Sequence, residues 1–160
     1  MSGITNLIGH IKLPKFVKAR QVFDKTEMTP AEISEELKKG FEKEGIKGRI
    51  KPGQRICITC GSRGVSNMAF VTKALADYVK SMGAEPFLIP AMGSHGGATA
   101  EGQVEILKNL GITAESIGCP VLSSMETVKI SRAEGREGME GFDVCIDKNA
   151  FEADGIIVLN

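Results

Sequence analysis

The sequence predicts an α/β domain with an open, mainly parallel β-sheet and helices on both faces. An apolar run, a glycine-containing loop and a helical pattern follow one another twice, from Arg55 to Met82 and from Pro86 to Gly111. Unbroken apolar runs are typical of strands covered on both faces. Two such units in succession are typical of parallel sheets with crossover helices. The predicted architecture is therefore Rossmann-like.

Composition excludes several function classes. The 160 residues contain 20 Lys and Arg against 20 Asp and Glu, so no net charge attracts nucleic acid or a membrane surface. Aromatic residues make up 5% of the chain and Trp is absent, which argues against a base-stacking surface. The sequence has no secretory signal pattern and no apolar run of membrane-spanning length. We expect a cytoplasmic protein.

The chain reads as a single α/β domain with a lead-in over residues 1–28 and a core over residues 29–160. Within the lead-in, Phe16–Phe23 is a candidate early strand. The core opens with a helix start, because Thr29 can cap the helix and Glu32 is placed for a capping box. An apolar helix face then follows at Ile33, Leu37 and Phe41.

The first strand–loop–helix unit is predicted to consist of a strand at Arg55–Cys60, the loop Gly61-Ser-Arg-Gly64 and a helix over about Asn67–Met82. Such a layout offers unpaired backbone amides and the positive end of a helix dipole to an anion. Arg63 adds a planar guanidinium suited to carboxylate or phosphate. Taken alone this loop motif is weak, since Arg63 could equally be a surface arginine.

The second unit starts with the apolar run Phe87–Ile89 and ends with a helix that Thr99 can cap and Gly111 can terminate. Between them lies His95, which can exchange a proton near neutral pH. Its loop is rich in residues that let a ligand approach closely: Gly93, Gly96 and Gly97. The alternative is a histidine in an ordinary flexible turn.

Both loops should emerge at the same edge of a parallel sheet, outside the carboxyl ends of the strands, where open α/β sheets bind ligands. We therefore expect Arg63 and His95 to converge on one ligand.

Beyond Gly111 the pattern predicts a short strand at Cys119–Leu122 and a hairpin formed by Val128–Ser131 and Val144–Asp147. Ile156–Leu159 is predicted to be another fully buried strand, and its ligand-facing loop should begin where the chain stops. We therefore expect an incomplete domain.

The cysteines do not predict a metal site. Cys57 and Cys60 have C-x-x-C spacing, but on a strand residues three apart point to opposite faces and cannot chelate one ion. No second pair completes four ligands, so we expect buried, reduced thiols at these two positions and at Cys119 and Cys145.

Three segments carry a family resemblance: Met92-Gly-Ser-His-Gly-Gly-Ala-Thr-Ala-Glu-Gly-Gln103, Gly61-Ser-Arg-Gly64 and Phe151-Glu-Ala-Asp-Gly-Ile-Ile-Val-Leu-Asn160. In order and spacing they resemble the amino-terminal domain of the nickel-pincer lactate racemase family of 2-hydroxy acid racemases and epimerases. The resemblance covers roughly residues 50 to 160, and the histidine loop is its most specific part. The first loop keeps the family's arginine but not its surroundings, so the resemblance leaves the 2-hydroxy acid open.

The resemblance implies an isomerase in which a nickel-pincer nucleotide, derived from nicotinate mononucleotide, takes a hydride from the α-carbon and returns it to the other face. His95 matches one of two histidines that exchange the hydroxyl proton, and Arg63 matches an arginine that holds substrate or cofactor. We assign cofactor binding in the larger protein to the small loop residues Gly61, Ser62, Gly64, Ser94, Gly96 and Gly97.

The family's second histidine, attachment lysine and nickel ligand match positions downstream of Asn160. The chain is thus expected to be the amino-terminal portion of a larger racemase-like protein, inactive alone and without bound cofactor. Its expected partners are a 2-hydroxy acid, a carboxyl-terminal portion or partner chain, and a possible second copy in a homo-oligomer.

Two other functions stay open. One is a non-catalytic Rossmann-like domain or subunit that binds an anion or nucleotide through the two loops. The other is a scaffold or subunit whose active site another chain completes. An acyl-transfer hydrolase is disfavoured, because Met92 replaces the first glycine of a G-x-S-x-G elbow around Ser94.

Overall fold

The computed structural model describes residues 15–24, 27–63, 65–135 and 140–159. Its elements are α1 (Pro30–Phe41), β1 (Arg55–Cys60), α2 (Met68–Ser81), β2 (Glu85–Pro90), α3 (Ala100–Asn109), α4 (Ala114–Ile117), β3 (Thr127–Ala133), β4 (Phe142–Asp147), α5 (Lys148–Phe151) and β5 (Gly155–Ile157). One turn of 3₁₀ helix, Gly96–Ala98, precedes α3.

The central sheet has three parallel strands in the order β2–β1–β5. Ile58 in β1 pairs with Leu88 on one side and with Ile157 on the other. Beyond β2, the strand predicted at Cys119–Leu122 is reduced to a single parallel bridge between Val121 and Leu88. The predicted hairpin is present as a separate antiparallel pair, β3 and β4. The α/β class and the parallel central sheet are thereby confirmed.

Helices cover the two sheet faces unequally. The face that carries Ile58, Cys60 and Leu88 packs against the long helices, and its core includes Met68, Leu75 and Leu107. Burying each large aliphatic side chain contributes about 1.5–3 kcal/mol. The opposite face packs against α5 and the hairpin, through Cys57, Phe87, Ile89, Ala150 and Ile146.

Helix α1 begins as the sequence predicts. The Thr29 hydroxyl oxygen accepts a hydrogen bond from the Glu32 amide at 3.3 Å, and the Glu32 carboxylate accepts one from the Thr29 amide at 2.7 Å. An N-cap of this kind is worth about 1 kcal/mol. The helix then packs Leu37 and Phe41 against the core, and Phe41 stacks on Tyr78 of α2.

Two strand predictions are wrong. Residues Phe16–Phe23 form no regular structure, and Phe16 is 91% exposed. The strand expected at Ile156–Leu159 is shorter and is not fully buried, since Val158 is 79% exposed. The reason is its position: β5 pairs with β1 on one side, and no described strand pairs with its other side. An apolar run alone does not distinguish a central strand from an edge strand.

None of the helices in the described ranges combines the length and the apolar character needed to cross a bilayer.

Candidate functional site

The two glycine loops share one edge of the sheet. They follow β1 and β2, which are adjacent and parallel, so both leave at the carboxyl ends of the strands. The amide of Ala91, just after β2, donates to the carbonyl oxygen of Cys60 at 2.7 Å and ties the two strand ends together. This edge is where open α/β sheets place their ligands.

His95 and Ser62 bridge the two loops. The Ser62 hydroxyl lies 2.5 Å from Nδ1 of His95, although the two residues are 33 positions apart in the chain. No described residue hydrogen-bonds the other ring nitrogen, Nε2, and His95 is exposed. The imidazole is therefore held on one side and accessible on the other.

The backbone around His95 is fixed by α3. The side-chain amide of the buried Gln103 donates hydrogen bonds to the carbonyl oxygens of Gly93 at 2.8 Å and of His95 at 3.4 Å. Thr99 caps α3 by accepting from the Gly102 amide at 3.1 Å, and its hydroxyl donates to the Gly96 carbonyl at 3.1 Å. These contacts convert a glycine-rich loop into a defined turn.

Gly96 and Gly102 are required by a close backbone approach. A Cβ added to Gly96 would lie 2.5 Å from the Gly102 carbonyl carbon and 2.6 Å from the Gln103 amide nitrogen. Gly96 also has a positive φ of 65°, which side chains other than glycine rarely adopt. The turn that carries His95 thus depends on glycine for both space and backbone conformation.

Arg63 is exposed, and its side chain forms no ion pair or hydrogen bond with any described residue, although its backbone carbonyl accepts a hydrogen bond from the Val65 amide at 2.9 Å. It lines a shallow pocket between the loops together with Gly61, Ser62, Val65, Met68, Ala91 and Met92. His95 does not line this pocket, and no hydrogen bond joins it to Arg63. Ser62, which does line the pocket, is the link between them.

The other residues assigned to cofactor binding have different surroundings. Gly61 is buried at the end of β1, and Ser94 and Gly97 are exposed in the His95 loop. The Ser94 and Gly96 carbonyls accept hydrogen bonds within the turn, from Ala98 and Thr99. Gly64 lies outside the described residues.

The cysteines belong to the core rather than to the site. Cys57 and Cys60 lie in separate core clusters on opposite faces of the sheet, as the strand alternation predicts. Burial raises the pKa of each thiol to about 12. Cys119 is buried as well, whereas Cys145 is exposed on β4, so the expectation of burial is wrong for that residue.

Sequence reasoning missed Gln103 and the role of Ser62 toward His95. A signal for Gln103 was present, because it lies four residues before the buried Leu107 and so places a polar group on the buried face of α3. The pairing of Ser62 with His95 has no local signal, since it depends on two loops meeting in space.

Comparison with protein-family models, with characterised proteins and with solved structures finds no match to this chain. The resemblance to the nickel-pincer lactate racemases therefore stays a prediction.

Proposed function

We propose that this chain is the amino-terminal domain of a lactate racemase-like enzyme that inverts a 2-hydroxy acid, with His95 exchanging the hydroxyl proton. The observation that carries the proposal is the 2.5 Å contact between Ser62 and Nδ1 of His95, which holds the imidazole while leaving Nε2 accessible. An imidazole held in this way can serve both as a general base and as a general acid.

Arg63 is the residue that we propose binds the substrate. Its guanidinium has no described protein partner, lies beside a pocket at the ligand-binding edge, and matches the planar geometry of a carboxylate. A 2-hydroxy acid carries its hydroxyl next to its carboxylate. Arg63 would bind the carboxylate, and His95 would meet the hydroxyl from the neighbouring loop.

The described residues do not fit a metal-binding role. They contain no group of three His, Cys, Asp or Glu side chains able to hold a metal ion, and the thiols of Cys57 and Cys60 are buried in the core. The proposal therefore assigns no step on this chain to the nickel-pincer nucleotide of the family. It concerns only anion binding and proton exchange.

The proposal also concerns the type of α/β fold and the extent of the domain. The domain is Rossmann-like and incomplete, the amino-terminal portion of a larger cytoplasmic protein in which a carboxyl-terminal portion or partner chain supplies the second acid–base group. The two successive strand–loop–helix units support the Rossmann-like description. The outer edge of β5, which pairs with no described strand, supports a missing neighbour, as do the exposed side chains of Ile156 (42%) and of Val158 just beyond the strand (79%).

Binding of lactate and longer 2-hydroxy acids to the chain tests directly the site proposed at Arg63 and His95. Backbone NMR shifts should change at the two loops, and Arg63→Ala should weaken binding about tenfold or more, because the carboxylate loses a charge-assisted pair. Arg49→Ala is the matched control, since Arg49 is also exposed but precedes β1 at the opposite end of the strands. Equal weakening by both variants would contradict the proposed site.

Turnover tests the chemistry. In the longer protein loaded with the nickel-pincer nucleotide, inversion of 2-hydroxy acids is followed by chiral chromatography, and His95→Ala should abolish it without unfolding the domain. Full activity in that variant would eliminate the role of His95. Binding of inorganic phosphate in preference to 2-hydroxy acids, with affinity unchanged by His95→Ala, would favour the non-catalytic anion-binding domain.

A subunit completed by another chain is the second candidate, and one observation favours it. The groove between α1 and β5 is lined mainly by apolar side chains, among them Met28, Ile33, Leu37, Val158 and Leu159. Sedimentation across a concentration series should show self-association that Val158→Lys weakens. A monomer at every concentration, with no binding to the rest of the racemase, would remove this candidate.

A further inference from the structure

We propose that Ser62 is a positioning residue for His95: its hydroxyl oxygen accepts a hydrogen bond from Nδ1–H and so keeps Nε2 as the nitrogen that exchanges protons. This role is additional to the cofactor binding that the family resemblance leads us to expect of Ser62. The contact between Ser62 and Nδ1 is a feature of the structure, whereas the choice of Nδ1–H as the donor, and its use in proton exchange, rests on the proposed function.

The contact permits two arrangements when the ring is neutral. Either the serine hydroxyl donates to Nδ1, or Nδ1–H donates to the serine oxygen. Once the ring is protonated both nitrogens carry hydrogen, and only the second arrangement survives. A histidine that cycles between base and acid therefore keeps its partner without rearrangement only if Ser62 accepts.

Because the backbone around His95 is fixed, the motion that Ser62 has to restrict is rotation of the imidazole ring. The His95 carbonyl is held by Gln103, and the turn behind it is held by Thr99 and Gly102. Ser62 sits just beyond the buried Gly61, at a strand end that the Ala91–Cys60 hydrogen bond joins to the second loop. Both partners thus start from anchored backbone, which makes the contact between them reproducible.

The opposite assignment would make Ser62 a nucleophile and His95 its base. That chemistry needs a third group to orient the imidazole from its other nitrogen. No described residue hydrogen-bonds Nε2 of His95, so the pair lacks that group within the described ranges. The geometry favours the positioning role.

Ring-nitrogen NMR on the 160-residue chain tests the tautomer without any enzyme assay. The chain has two histidines, His10 and His95, so His10→Gln leaves a single ring to observe. In this background the Nδ1–H tautomer of His95 should predominate. Ser62→Ala should shift the population toward Nε2–H, and Ser62→Thr, which keeps a hydroxyl, should restore it. Ser66→Ala, an exposed serine on the same connection, should change nothing.

Three results would overturn the positioning role: a dominant Nε2–H tautomer in the parent chain, a spectrum unchanged by Ser62→Ala, or covalent labelling of Ser62 by a fluorophosphonate. In the loaded enzyme, Ser62→Ala should lower kcat by about 10- to 100-fold with KM nearly unchanged, the usual cost of losing an orienting partner. If the tautomer shifts as expected but no 2-hydroxy acid is turned over, the proposed function fails and the Ser62–His95 pairing stands.

Discussion

The two glycine loops occupy equivalent positions after adjacent parallel strands, yet they are built differently. The loop that carries His95 is fixed through its own backbone, by Gln103, by the Thr99 cap and by the close approach of Gly96 to Gly102. The loop that carries Ser62 and Arg63 leads into α2 without a side-chain cap, because Asn67 is left-handed at φ 61°.

The difference separates structural from chemical roles. Substitutions in the His95 loop should lower the free energy of unfolding, because they remove backbone contacts. Substitutions in the Ser62 loop should leave the fold intact and change what the edge binds or how His95 is oriented.

Gly96→Ala should cost about 3 kcal/mol of unfolding free energy, the sum of a steric clash and a strained left-handed alanine. Chemical denaturation measures it. Gly97→Ala is the matched control, because Gly97 has a similar φ of 68° but nothing within 4 Å of an added Cβ. The control should lose about 1 kcal/mol. Equal losses would show that the close approach to Gly102 carries no energy.

Gln103→Leu should cost about 1–2 kcal/mol, because the Gly93 and His95 carbonyls lose their buried donor while the side-chain volume is kept. Glu105→Ala on the exposed side of the same helix should change stability by less than about 0.5 kcal/mol. Amide exchange in the His95 loop should accelerate only in the Gln103 variant. An unchanged loop would mean that α3 does not fix it.

Alkaline pH should lower the free energy of unfolding through the buried thiols of β1, the strand that leads into the first glycine loop. Cys60 immediately precedes Gly61, and burial raises the pKa of this thiol and of Cys57 to about 12. Since each folded pKa exceeds the unfolded value, the stabilisation is complete below about pH 9 and is lost as pH rises toward 12. Near pH 10 the loss should be about 1 kcal/mol per thiol. Urea titrations should show a flatter alkaline slope in Cys60→Ala.

Ser62→Ala should change the unfolding free energy by less than about 0.5 kcal/mol, because Ser62 lies near the surface and the side-chain hydrogen bond that it would lose is to an exposed ring. Arg63→Ala should be equally neutral for folding. A loss above 1 kcal/mol in either variant would break the division between the loops and give the first loop a structural role.

Much of the architecture could be predicted from local patterns. The Thr29 and Thr99 caps, the strand at Arg55–Cys60 and the hairpin all depend on residues close together in the chain, and the structure confirms them. Cys57 and Cys60 lie on opposite faces of the sheet because successive side chains of a strand alternate between the two faces. The candidate site could be predicted only as two loops at one edge, because that much follows from parallel pairing.

Sequence by itself thus determined most of the elements and their caps, since these are set by residues close together in the chain, and the shared edge of the two loops, which follows from parallel pairing of the two strands. Only tertiary structure decided that Ser62 meets His95, that Gln103 is buried beneath the histidine loop, and that β5 lies at an edge with Val158 exposed. Each of these depends on which segment packs on the far side of a strand or loop. That choice is made by contacts between distant residues, which no local period encodes.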